Sequence, residues 1–190
     1  GGGGVALIGS DVDTSGGAAF GGEGAYGGDA GDVFVSSGDI DGGVGGEGGE
    51  GYFGLIDRVD IDADSTLTSV GGYADASGSE GFAFGGDGGE GFVASDDGSV
   101  SVGGPVDTSG GDAVADYAYG GEGATIFVTG ENGGGDYAAV SIDGTLTSLG
   151  GVADGVYNGN DGVGDAIFVI GGEGGDGVAV SINGTITTDA

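Results

Sequence analysis

Apolar residues alternate with small or polar ones in short bursts along this chain: Val100-Ser101-Val102, Ala139-Val140-Ser141-Ile142, Gly144-Thr145-Leu146-Thr147 and Thr185-Ile186-Thr187. A period of two marks a half-buried strand. It predicts short strands with Val140, Ile142, Leu146, Val180, Ile182 and Ile186 facing a core. Between the bursts stand Gly-Gly, Asp-Gly and Asn-Gly pairs, which punctuate strands as turns. With 56 glycines among 190 residues, no window of useful length sustains helical spacing. Each glycine inside a helix also costs about 1 kcal/mol against alanine.

The bursts are copies of one another. Ser141 to Ser148 and Ser181 to Thr188 are near-identical and stand 40 residues apart. Leu67-Thr68-Ser69-Val70-Gly71-Gly72 aligns with Val106-Asp107-Thr108-Ser109-Gly110-Gly111 after 39 residues, and that with Leu146 to Gly151 after 40 more. Val12 to Gly17 repeats Val106 to Gly111 letter for letter, but the steps from Val12 through Ile40 to Leu67 are 28 and 27. Residues 1–61 therefore read as an irregular or shorter version of the unit, and residues 62–190 as regular copies. A fixed period of this size marks an array whose units bury their apolar faces against their neighbours. The expectation is a single all-β domain over residues 1–190, an elongated parallel β-helix or β-solenoid. Each unit of about 40 residues would make two turns of about 20, with three shorter turns as the alternative.

Composition narrows the alternatives. One proline and no strict Gly-X-Y period exclude a collagen helix. A hydrophobic fraction of 37%, with seven Tyr and eight Phe, supplies a long thin core and weighs against a disordered low-complexity chain. No long apolar run and no charged-then-apolar start is present, so neither a membrane span nor a signal peptide is expected in this stretch. The opening glycines and a repeat that runs into Ala190 lead us to expect a portion of a longer product.

Charge changes the picture most. Thirty-two acidic residues face one basic residue, Arg58, and no histidine, for a formal net charge of -31. Equivalent side chains on neighbouring strands stand about 4.8 Å apart, where two carboxylates repel by roughly 0.9 kcal/mol even in water. Stacked carboxylates call for counterions, either concentrated salt or divalent cations. Nucleic acid, phosphate ligands and anionic membranes are disfavoured as partners, since all are held by Lys and Arg, and neither nucleic-acid binding nor membrane insertion is expected. Without cysteine there is no disulfide framework and no thiol chemistry. Without His, Cys or Lys there is no catalytic triad, Schiff base or histidine-ligated zinc, and a carboxylate pair alone does not define an enzyme. No enzymatic activity is expected.

The acidic motifs bear on calcium instead. Gly171 to Ala179 fits G-G-x-G-x-D-x-U-x, whose acid and glycine carbonyls bind Ca²⁺ at turns, with Asp176 as ligand. Gly27 to Val35 fits with Asp32, Gly45 to Phe53 with Glu50, and Gly85 to Val93 with Glu90. Asp60-Ile61-Asp62-Ala63-Asp64 and the Asp11, Asp13 pair carry the alternating carboxylates that open an EF-hand loop, without its closing Glu. The candidate metal ligands are thus Asp11, Asp13, Asp32, Glu50, Asp60, Asp62, Asp64, Glu90 and Asp176. The same clusters also make solvated corners and charged strand faces. Thr66/Thr68, Thr145/Thr147 and Thr185/Thr187 form sparse Thr-x-Thr ranks, a lesser alternative pointing to ice binding.

The phrase Val180-Ser181-Ile182-Asn183-Gly184-Thr185-Ile186-Thr187-Thr188, with Gly144 to Tyr157 and recurring Gly-Gly-Glu-Gly, resembles the β-helical passengers of autotransporter adhesins and filamentous-haemagglutinin-like exoproteins. The nonapeptides resemble the RTX calcium-binding repeats more weakly. The first resemblance implies a secreted or cell-surface structural or adhesive protein, a subunit of an extracellular fibre or matrix. Such a protein would associate end to end and meet a host or cell-surface ligand. The second implies a calcium-binding β-roll.

Overall fold

The computed structural model describes residues 5–21, 24–37, 58–61, 63–76, 81–95, 98–132, 139–173 and 179–189. These residues form strands and no helix. Five successive units can be followed. The first holds β1 (Val5–Ile8), β2 (Val12–Asp13), β3 (Ala19–Phe20), β4 (Gly24–Tyr26) and β5 (Val33–Ser37). The second holds β6 (Arg58–Ile61), β7 (Leu67–Thr68), β8 (Ala74–Asp75), β9 (Phe82–Phe84) and β10 (Gly91–Ser95). The third holds β11 (Ser99–Val102), β12 (Val106–Asp107), β13 (Ala113–Tyr119) and β14 (Ile126–Asn132). The fourth holds β15 (Val140–Ile142), β16 (Thr145–Ser148), β17 (Ala153–Asn160) and β18 (Ile167–Glu173), and the fifth β19 (Val180–Ile182) and β20 (Thr185–Thr188).

Four parallel sheets result, each taking strands from successive units. Their orders are β1-β6-β11-β15-β19, β2-β7-β12-β16-β20, β5-β10-β14-β18 and β3-β8-β13-β9-β4, with β17 on β13. Equivalent residues fall in register: Val100 on Val140 on Val180, and Val12 on Leu67 on Val106 on Leu146 on Ile186.

Two expectations need correction. Two turns of about 20 residues per unit would pair strands at that offset; from β6 onward the paired residues lie 35 to 41 apart instead. The reason is that one unit supplies a strand to every sheet before the chain returns to its starting sheet. The first unit is also longer, not shorter, since Val12 pairs with Leu67 and Val33 with Gly91. The spacing through Ile40 divided one long unit in two, and Ile40 lies outside the described residues.

Inside, two cores are built from different residues. The larger contains Val59, Ile61, Leu67, Val93, Val100, Val102, Val106, Ile126, Val128, Val140, Ile142 and Leu146, all buried. The second is alanine throughout: Ala25, Ala74, Ala76, Ala83, Ala113, Ala115 and Ala118, flanked by Ala19 and Ala153. Of the residues expected inward, Val140, Ile142 and Leu146 are fully buried. Val180 is half-buried, while Ile182 and Ile186 are exposed, because β19 and β20 have a described neighbour on one side.

The recurring hexamer explains how the chain passes between the cores. In Val106-Asp107-Thr108-Ser109-Gly110-Gly111, Val106 enters the large core and Asp107 faces outward. The Thr108 hydroxyl then donates to the Ala124 carbonyl across the unit at 2.6 Å. Thr14 donates likewise to Gly31 at 2.7 Å, and Ser69 to the same carbonyl. The glycines close the waist. Gly28 N–H donates to Gly17 O, Gly72 to Gly28, Gly86 to Gly72, Gly111 to Gly86, Gly121 to Gly111, Gly151 to Gly121 and Gly162 to Gly151, each at 2.8 or 2.9 Å. This single file of bonds alternates within and between units. It needs glycine because the backbones touch: a Cβ on Gly121 would sit 2.0 Å from Gly86 O, and one on Gly85 1.9 Å from Gly111 O.

Candidate functional site

The alanine lobe presents the chain's most distinctive surface. Where a strand points alanine inward, its neighbours point outward. On the return strands those neighbours are aromatic, because each copy reads Ala25-Tyr26-Gly27-Gly28, Ala83-Phe84-Gly85-Gly86 and Ala118-Tyr119-Gly120-Gly121. The register of β4, β9 and β13 stacks them. Tyr26 lies on Phe84 at 5.0 Å between ring centroids and 7° between planes, and Phe84 on Tyr119 at 4.9 Å and 6°. A parallel column places Phe82 on Tyr117 at 4.9 Å and Tyr117 beside Tyr157 at 5.8 Å. Asn158 and Asn160 continue the two columns on β17. The facing surfaces of the stacked pairs are covered, and the remaining ring surface meets solvent, with Tyr26 69% and Phe82 46% exposed. A third column, Phe92, Phe127 and Phe168, runs along β10, β14 and β18.

An acidic column borders this strip beyond the seam. Asp29 Oδ1 accepts the Asp87 N–H at 3.1 Å, and Asp87 Oδ1 accepts the Glu122 N–H at 2.8 Å. Each carboxylate thus satisfies a backbone donor of the next unit. This use recurs at Asp112 with the Val152 N–H at 2.8 Å, while Asp161 accepts the Ala153 N–H of its own unit at 2.7 Å.

Of the residues singled out as metal ligands, Asp11 and Asp32 follow the same habit. Asp11 Oδ1 accepts the Thr66 N–H at 3.0 Å, and Asp32 Oδ1 the Glu90 N–H at 3.0 Å. Asp32 and Glu90 therefore come together on successive units. Asp13 folds back on Ser15, whose N–H reaches its Oδ1 at 2.9 Å; the Ser15 hydroxyl first and its N–H second hold this carboxyl below its ordinary range. Asp60 sits half-buried in β6 between Leu7 and Ser101, and Asp64 is exposed in the turn that follows. Glu50, Asp62 and Asp176 lie outside the described residues. Among the described residues no three acidic side chains converge as a metal-holding group.

Two further groups are perturbed. Asp165 is held low by the Thr125 hydroxyl, at 2.5 Å from its Oδ2, and by the Ala166 N–H, at 2.7 Å from its Oδ1. Tyr73 is raised by burial and then by Asp75, with Asp112 and Asp154 adding to it. The threonine ranks are broken in register, since Asp13 and Asp107 share a column with Thr68, Thr147 and Thr187.

The aromatic columns escaped the reading of the sequence, although their signal was there: an aromatic between alanine and Gly-Gly at Tyr26, Phe84 and Tyr119, as also at Phe20. No family model, no curated protein and no solved structure matches the chain.

Proposed function

We propose that this chain is a β-solenoid that serves as a structural or adhesive element of an extracellular fibre or matrix at a cell surface. The observation that carries the reading is the pairing itself: every described strand lies parallel to its equivalent in the neighbouring unit, and the core columns run from unit to unit without interruption. Such an array is extended along one axis and gains stability from each neighbour. The resemblance to autotransporter and filamentous-haemagglutinin-like passengers supports the secreted, adhesive setting. At β18, β19 and β20 the sheets present edges that further units of the same repeat, in this chain or another copy, extend in register.

Cations belong to the same proposal. With 32 carboxylates against one arginine, lateral approach of two copies juxtaposes like charge, so calcium or high salt favours packing side by side. Negative-stain electron microscopy of the purified chain, with and without a calcium chelator, tests the reading. Rods and end-to-end filaments that bundle with calcium are expected. Compact particles of constant size in both conditions would remove the fibre proposal.

A further inference from the structure

We propose that Tyr117 and Tyr157 form a site of oxidative cross-linking, at which the two phenol rings couple into dityrosine and staple one unit of the repeat to the next. Among the described ring contacts this one joins two tyrosines; the others join Phe to Phe or Phe to Tyr. Both rings reach solvent, with Tyr117 37% and Tyr157 68% exposed, so an oxidant has access to each. Their planes are tilted by 37° instead of stacked. The register of β13 on β17 slips between Ala115 and Tyr117, so Tyr157 is not locked into the ladder as Phe84 and Tyr119 are. That irregularity gives its ring the freedom to bring an ortho carbon against that of Tyr117.

Composition supplies the second argument. The chain has no Cys, Met, Trp or His, the side chains that otherwise compete for one-electron and peroxide oxidants. Oxidising equivalents are thereby directed to its seven tyrosines. The co-reactant is a peroxide acting through a haem peroxidase. Each phenol loses one electron and one proton to give a phenoxyl radical; the two radicals join through a new C–C bond between ortho carbons. Each ring then releases its ortho hydrogen to the phenolic oxygen as it regains aromaticity. One hydrogen peroxide takes up the two electrons and two protons and leaves as two waters.

The test treats the intact chain at low concentration with horseradish peroxidase and hydrogen peroxide, then reads dityrosine fluorescence, gel mobility and peptide mass after cleavage at acidic residues. The expected product is a monomer whose Tyr117 and Tyr157 peptides are joined with the loss of two hydrogens, and whose thermal midpoint is raised. Tyr157→Phe, which keeps the ring, should abolish at least nine-tenths of the fluorescence while leaving the untreated melt unchanged; Tyr119→Phe should leave the yield as it is. Linkage through other tyrosines, linkage between chains alone, or a Tyr157→Phe yield equal to that of the parent would each overturn the assignment.

Discussion

The two cores of this protein solve the same packing problem with opposite materials. Around the large core the sheets are held apart by Val, Ile and Leu, as sheets packed face to face usually are, at about 10 Å. Across the small one the layers meet over alanine, and at the waist between them the backbones meet with no side chain at all. Large side chains stabilise by area, roughly 25 cal/mol for each Å² of apolar surface removed from water. Alanine offers little area, so the small lobe relies on close fit, on hydrogen bonds across the seam and on the aromatic columns outside it. The lobes should therefore fail in opposite ways.

The seam is the place to break the comparison most severely. Gly121→Val inserts a branched side chain where even a Cβ would stand 2.0 Å from the Gly86 carbonyl oxygen and 3.0 Å from that of Gly85, both backbone atoms. The cost should exceed about 3 kcal/mol, beyond the usual range of overpacking because no side chain can swing aside. Gly17→Ala is the control, since nothing lies within 4 Å of its Cβ position; its melt should stay near that of the parent. Equal damage from both substitutions, measured by thermal or urea unfolding, would show that the seam is not a steric element.

Next come the cores. Leu146→Ala removes a fully buried side chain and should cost about 2 to 5 kcal/mol, through lost burial and the cavity left behind. In the alanine lobe the harmful direction is reversed. Ala118→Leu should cost about 1 to 3 kcal/mol by forcing the layers apart, whereas Ala118→Gly gives up a single methyl, worth about 0.8 kcal/mol of transfer energy. A destabilisation by Ala118→Gly as large as that by Leu146→Ala would mean that the two cores do not differ in kind.

The aromatic columns rank below the cores. Phe84→Ala strips the ring that stacks on both Tyr26 and Tyr119. Each such pair is worth about 0.5 to 1.5 kcal/mol. Phe84→Tyr keeps both stacks and should be close to neutral. If Phe84→Ala proved silent in equilibrium unfolding, the columns would be surface decoration and not part of what holds the thin lobe together.

How much of this could be read beforehand depended on what each residue pattern encodes. Alternation in Val100 to Val102 and Val140 to Ile142 gave strand and facing at once, since a period of two fixes which side is buried. The copies of Val106 to Gly111 gave the columns that the register displays. The number of turns was hidden, because local alternation carries no information about how many strands a unit lays down before it returns. The waist was hidden for a related reason: Gly-Gly is read locally as a turn, while here it is a long-range contact between Gly111 and Gly86 or Gly121. The carboxylates have structural partners that spacing alone does not name. Asp11 and Asp32 fit metal motifs by spacing, yet their Oδ1 atoms receive backbone N–H groups of the next unit, a partner no local motif names.

The smallest predicted effect separates the lobes by pH. Beside the large core, Asp13 and Asp165 have carboxyls held below their ordinary range by hydrogen bonds. A depressed carboxylate contributes stability that is present above its unfolded value near 3.9 and lost as pH falls through the folded one. On the alanine lobe Tyr73 is shifted the other way, upward, by burial and by Asp75. Its contribution is whole below the unfolded value near 10 and is lost as pH rises from there toward the folded value. Between these limits the overall charge adds a broader trend, since net charge far from zero strains the folded state and protonation relieves it. Melts should therefore improve slightly from pH 7 to about 5, weaken below about 4, and weaken again above about 10. Asp165→Asn should blunt the acid limb alone, and Tyr73→Phe the alkaline limb alone. If either substitution moved both limbs equally, the limbs would not arise from the titration of these particular groups, and the contrast between the lobes would be one of packing alone.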